Sequence, residues 1–168
     1  INRRFALDYA GRLSALAILN SPHDRGDEAQ ILVEARAAAV RSEGAMATME
    51  AAIERWFTHD YRTSHPDFME TVRAWRRKVD AQSYAEAAWV LATGVKELTR
   101  LTTPVNVPTI VITSENDSGS TPDMAAIIAG EIDQAEIRIV PELKHLGLME
   151  QPQSFAIPVM YFFRELLR

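Results

Sequence analysis

Three short, largely apolar runs at residues 13–19, 109–113 and 136–140 are spaced very unequally. One helix's length of chain separates the last two, whereas helical periodicity fills the long gap between the first two. Short apolar runs bounded by turn residues are the pattern of strands buried on both faces of a parallel sheet. The chain is therefore expected to form a parallel α/β sheet interrupted by a large all-helical insertion. The expected organisation is a core segment at 1–20 (helix end and strand), a helical cap at 21–100, and a core segment at 101–168 (strand, helix, strand, helix). Within the cap, helices are read near 27–41, 44–57, 66–79 and 82–94, with breaks at Gly44, His65-Pro66, around Asp80 and at Gly94.

The 168 residues suffice for one domain with a real core or for two small lobes, and 47% apolar with 24% charged residues is ordinary for a globular protein. A net charge of −5 argues against a nucleic-acid partner. The densest basic group, Arg73, Arg76, Arg77 and Lys78, shares its helix with Asp67, Glu70 and Asp80 and reads as a solvated face. The stripe Met46, Met49, Ile53, Trp56, Phe57, continued by Val72, Trp75 and Val79, reads as core. There are no cysteines, so disulfides, thiolate metal sites and a cysteine nucleophile are excluded from this chain. No apolar run approaches a membrane span, and the expected location is cytoplasmic. The chain opens at Ile1 inside a helical pattern, so its native start is expected upstream, where a targeting segment would be invisible.

Pro104 and Pro108 flank the entry to the second strand. Thr121-Pro122-Asp123 opens a helix running to about Ile132, with a capping hydroxyl, a proline at its first position and an acid in its first turn. A final helix starts near Pro152, and Pro158 within it predicts a kink or a late start.

Two strands run straight into polar loops. Thr109-Ile-Val-Ile-Thr-Ser-Glu-Asn-Asp117 delivers a carboxylate, and Ile137-Arg-Ile-Val-Pro-Glu-Leu-Lys-His145 delivers an imidazole. Taken alone, Asp117 reads as a loop cap and His145 as a loop histidine. Together they lie 28 residues apart, room for one helix and one strand, so adjacent parallel strands would bring both loops to one sheet edge. A carboxylate there can hold an imidazole in the tautomer a general base needs. Asn116, Ser118 and Ser120 read as turn formers. His23, His59 and His65 read as structural, none of them following a strand while paired with an acid. No serine sits on a Gly-x-Ser-x-Gly elbow.

With these residues in view, the chain resembles the α/β-hydrolases, whose triad runs in the order nucleophile, acid, histidine. The resemblance is carried by Val107-Pro-Thr-Ile-Val-Ile-Thr-Ser-Glu-Asn-Asp117, Pro122, Ala129, Ala135-Glu-Ile-Arg-Ile-Val-Pro141, His145, Glu150-Gln-Pro152 and Phe155, and by Ala10-Gly-Arg-Leu-Ser-Ala-Leu-Ala-Ile-Leu19. It departs from the family pattern at Ser114 and Lys144, where glycine is usual. Arg41-Ser-Glu-Gly-Ala-Met-Ala-Thr-Met, Glu54-Arg-Trp-Phe-Thr58 and Tyr84-Ala-Glu-Ala look like the cap of 3-oxoadipate enol-lactonases and their relatives.

The resemblance implies the C-terminal part of a lidded α/β-hydrolase acting on a small carboxylic ester or enol-lactone. Asp117 and His145 would be catalytic and Trp56 would reach the substrate or pack in the lid. The nucleophile and oxyanion hole would lie in a missing N-terminal part of the same protein, about one helical turn before Ile1. No cofactor or metal is implied, and the oligomeric state stays open. The alternatives are a lidded dehalogenase or carbon–carbon bond hydrolase, and a non-catalytic hydrolase-like binding protein. The segment alone is expected to be inactive and poorly soluble, since its sheet would leave an apolar edge.

Overall fold

The computed structural model describes residues 1–99 and 105–166. Pro104 and the boundary expected near residue 100 lie outside the described residues. Helix α1 (Asn2–Asp8) leads through a short 3₁₀ turn (Ala10–Arg12) into strand β1 (Leu16–Leu19). Helices α2 (Gly26–Glu43), α3 (Met49–Trp56), α4 (His59–Ser64), α5 (Pro66–Lys78) and α6 (Ala81–Thr93) follow before the chain returns to the sheet. Strand β2 (Thr109–Ser114), helix α7 (Pro122–Gly130), strand β3 (Glu136–Val140) and helices α8 (Gly147–Glu150) and α9 (Pro152–Leu166) complete it. No helix among the described residues is long and apolar enough to cross a membrane.

The strands form one parallel sheet in the order β1-β2-β3, with Leu16 opposite Thr109 and Ile110 opposite Glu136. All six residues of β2 are buried, as a central strand covered on both faces requires. Val111 joins Leu16, Ile18, Ala125 and Ile128 on the face covered by α1 and α7, whereas Ile110 and Ile112 join Phe155 and Phe162 of α9 on the other. This is the two-residue alternation of a pleated strand. Strand β3 is largely exposed and carries a Glu136–Arg138 ion pair at 3.0 Å, a charged edge of the kind that discourages further pairing.

Several local expectations need correction. The first strand pairs only from Leu16, because its partner begins after Pro108, which has no amide to donate to a ladder. The helix expected over 44–57 starts at Met49: Gly44, at φ 95°, ends α2 in a conformation that disfavours side chains, and a turn intervenes. Helix α4 was not anticipated, although its signal is visible: Thr58 caps it by accepting from the Tyr61 amide at 3.2 Å. Helix α9 starts at Pro152 and continues through Pro158, so the late start does not occur. Along α5 the buried positions are Met69, Val72 and Arg76, while Trp75 and Val79 are exposed.

The exit from β1 and the return from α6 are fastened together at one point. The buried Arg3 guanidinium of α1 donates to Pro22 O at 2.9 Å and to Leu98 O at 2.6 Å.

Candidate active site

Three chain segments leave the sheet at its carboxyl edge, and each brings one polar side chain to the same place. Asn20 follows β1 directly at φ 43°, a left-handed conformation that asparagine tolerates better than most residues. Asp117 follows β2 and His145 follows β3. The loops of the last two are joined by the Glu115 amide donating to Val140 O at 2.8 Å and the Asn116 amide donating to Leu143 O at 2.9 Å. The Glu142 amide adds a bond to Glu115 Oε2 at 2.8 Å.

The two oxygens of Asp117 have separate partners. Oδ1 accepts the Gly119 and Ser120 amides, each at 2.9 Å, and so builds the turn. Oδ2 lies 2.8 Å from His145 Nδ1 and accepts Asn20 Nδ2 at 3.0 Å. The carboxylate side chain is fully buried, whereas the imidazole is one-third exposed (33%). Burial pushes the Asp117 carboxyl up, but hydrogen bonds from His145, Asn20 and Gly119, with the charge of His145, outweigh it and hold the group below its ordinary value. With Oδ2 as acceptor, Nδ1 carries the proton, which leaves the Nε2 lone pair available for a base's role. Among the described residues Nε2 has no hydrogen-bond partner.

Neither departure from the usual glycines strains the backbone. The left-handed residue of the histidine loop is Glu142 (φ 63°), and neither Ser114 nor Lys144 has positive φ. The tight position is Gly147, where an added Cβ would stand 2.6 Å from Leu143 Cβ and 3.0 Å from Ser114 Oγ. Gly147→Ala is therefore expected to destabilise the protein by about 1–3 kcal/mol through overpacking. Thermal melts of the variant against the parent check this, and an unchanged melting temperature would contradict it.

Asp117, His145, Asn20 and Trp56 line a cavity of about 270 Å³ between the sheet edge and the helical insertion. Trp56 lines the cavity and packs against the insertion's core of Met49, Ile53, Phe57, Met69 and Val72. Four arginines, Arg25, Arg36, Arg55 and Arg76, also line the cavity, and Asp117 is the one carboxylate among the described lining residues. None of the four forms an ion pair among the described residues, whereas Arg41, Arg73 and Arg77 elsewhere on the insertion pair with Glu86, Glu50 and Glu70.

Arg76 corrects the reading of its segment as a solvated face. It is 6% exposed, with its guanidinium carbon 4.3 Å from the Tyr84 ring centroid and 5.8 Å from that of Trp56. Nη2 donates to Thr48 Oγ1 at 2.8 Å, and the buried Nε has no partner among the described residues. Burial lowers the pKa of Arg76, Arg55 and Arg25, with repulsion from Arg36 adding to it at the latter two. The signal for Arg76 was its place four residues after Val72 and seven after Met69, on one helix face. For Asn20 it was its place directly after a strand.

His23 also needs correction, because it does follow β1 and meets an acid. It is buried, with Nε2 3.1 Å from Glu131 Oε1, but it does not line the cavity. His59 and His65 are exposed, with His65 stacked on Tyr61.

A parallel sheet with an acid and a histidine at its carboxyl edge, beneath a helical insertion, defines a class: the chain has the α/β-hydrolase fold, of which it forms the C-terminal part. No protein-family model matches it. Within the class it is similar to 3-oxoadipate enol-lactonase 2 of Acinetobacter baylyi, at 25% identity over 150 residues, covering 89% of this chain and 54% of that one. The solved enol-lactonase of Burkholderia xenovorans LB400 superposes with a TM-score of 0.80 at 23% identity, over 97% of this chain and 61% of that one. A thermophilic esterase of Thermogutta terrifontis, solved with malate bound, gives 0.78 at 26% identity, over 98% and 60%. The chain thus spans little more than half the length of the curated relative.

Proposed function

We propose that this chain supplies the acid, the base and the substrate cavity of a lidded hydrolase acting on a small carboxylic ester or enol-lactone, with the nucleophile outside residues 1–168. The observation that carries the reading is the 2.8 Å contact between His145 Nδ1 and a buried Asp117 oxygen at the cavity wall. Similarity to an enol-lactonase and to an esterase supports the same reaction class. A nucleophile hydroxyl would give its proton to His145 Nε2 as its oxygen bonds to the carbonyl carbon. The ester C–O bond then breaks and the leaving oxygen takes that proton. Water then adds to the acyl carbon as Nε2 takes its proton. The acyl–nucleophile bond breaks and Nε2 passes the proton to the nucleophile oxygen, releasing the carboxylic acid and restoring the hydroxyl and the neutral base.

The arginines without ion pairs favour a substrate whose remote end carries a carboxylate, since an anion beside Arg55 and Arg76 would relieve their mutual repulsion. Malate in the related esterase is an anion of that kind. Trp56 would form an apolar wall of the same cavity.

The test is to treat the intact protein with a fluorophosphonate and to map the labelled residue by mass spectrometry. Labelling of a serine outside 1–168, with loss of ester hydrolysis, is expected. A label on a serine within 1–168, or absence of both label and hydrolysis, overturns the reading. Arg76→Met is further expected to raise KM for an ester bearing a terminal carboxylate by about tenfold or more, and to alter a neutral ester of equal size far less. Equal effects on the two esters would contradict the anionic assignment.

A further inference from the structure

His145 stands between two anchors that belong to different parts of the fold. On one side Leu143 is buried in the sheet core with Ile110, Ile112 and Phe155. On the other, Leu146 and Met149 pack against the insertion's own core, around Ile53, Phe57 and Met69. Hydrogen bonds strengthen the second anchor and reach to both sides of His145. Lys144 Nζ donates to Glu54 O at 2.7 Å, and the Leu146 amide donates to Trp56 O at 2.9 Å. Glu150 receives both the Thr58 amide, at 2.8 Å, and the Thr58 hydroxyl, at 2.7 Å. Residues 144, 146 and 150 are thereby tied to residues 54–58, where α3 gives way to α4.

We propose that residues 54–58 of the lid position the imidazole of His145, with Glu150 and Lys144 as positioning residues, so that seating of the lid and alignment of the base are one event. The proposal rests on the reading of His145 as the general base. Asp117 fixes one ring nitrogen, but a single hydrogen bond leaves the ring free to rock about it. The backbone on either side of the ring sets where Nε2 points, and the lid holds it through the Lys144 side chain before the ring and through Leu146 and Glu150 after it. Lifting the lid at residues 54–58 would strip Leu146 and Met149 of their packing and draw His145 off Asp117. Lys144, at a position where the family usually has glycine, serves here as a tether, which a glycine could not.

The test compares Glu150→Ala, Glu150→Gln and Lys144→Met in the intact protein, by steady-state hydrolysis of a p-nitrophenyl ester and by the proton NMR signal of His145 Nδ1. Glu150→Ala loses both bonds to Thr58. It is expected to lower kcat by roughly ten- to a hundredfold with little change in KM, the scale of a small misplacement of a catalytic group, and to shift or broaden the Nδ1 signal. Glu150→Gln can still accept the Thr58 amide and is expected to recover most of the rate. Lys144→Met, which leaves Glu150 in place, is expected to give a smaller loss in the same direction and serves if Glu150→Ala does not fold. Folded Glu150→Ala or Lys144→Met with parental kcat and an undisturbed Nδ1 signal would overturn the proposal. A His145→Gln variant that hydrolyses esters normally would instead overturn the assignment of the base, while the NMR arm would still judge the coupling.

Discussion

His145→Gln in the intact protein is expected to reduce kcat for a small ester by at least about 10³-fold while changing KM little. Glutamine keeps polarity and approximate size, and its amide can still face Asp117 Oδ2. It cannot take a proton at neutral pH, so on the proposed mechanism both the attack and the hydrolysis of the acyl intermediate would lose their base. Steady-state kinetics with active-site titration check this, because the titration separates a slow enzyme from an unfolded one. A variant within tenfold of the parent would remove His145 from the mechanism.

Asp117→Asn is expected to cost about 10³–10⁴-fold in kcat, by a different route. The Gly119 and Ser120 amides both point at one oxygen, so the asparagine carbonyl must stay there. Its NH₂ then occupies the site of Oδ2, facing Asn20 Nδ2 and His145 Nδ1. The imidazole can accept that donor only by moving its own proton to Nε2, where a base needs a lone pair. Asn20 Nδ2 loses its stronger acceptor, and the mismatch is expected to lower stability by about 1–3 kcal/mol.

The pH dependence follows from the depressed carboxyl. A group whose folded pKa lies below its unfolded value contributes stability that is fully present above the unfolded value, near pH ~4. That contribution is lost as pH falls through the folded value. The parent should therefore lose part of its advantage over Asp117→Asn as pH drops through that window. Melting temperatures of the two proteins measured from neutral pH down to about pH 3 should converge. Parallel curves would show that the carboxylate is not held as described.

How far the site could be read from the sequence depended on whether a role is expressed along the chain or across it. Asp117 and His145 were legible because each follows its strand by a few residues, and parallel neighbours carry such residues to one edge. The choice between a turn-capping and an imidazole-holding Asp117 proved to be no choice, since each oxygen takes one task. Asn20 was missed because asparagine after a strand is also what a turn needs. Arg76 was misread because charge density was weighed above helical register. The tether from Lys144 to Glu54 O joins residues 90 apart. No local pattern encodes such a contact; a position where a long side chain replaces the family's glycine was the one hint. Within the insertion, Gly44 and Thr58 decided element boundaries through φ and capping, effects that apolar periodicity does not register.

The clamp at Arg3 has a consequence for how such a protein can be rebuilt. One guanidinium of α1 spans the outgoing chain at Pro22 and the chain beyond α6 at Leu98, so these two stretches meet at a single point. Topologically, everything between them is a loop closed at its base, and closing a shorter or longer loop there costs only a slowly varying entropy. A different helical segment could therefore be grafted between those carbonyls without moving the strands. On the proposed reading, the graft would have to bring its own grip on the chain beyond His145, or the exchanged protein would inherit a cavity without an aligned base.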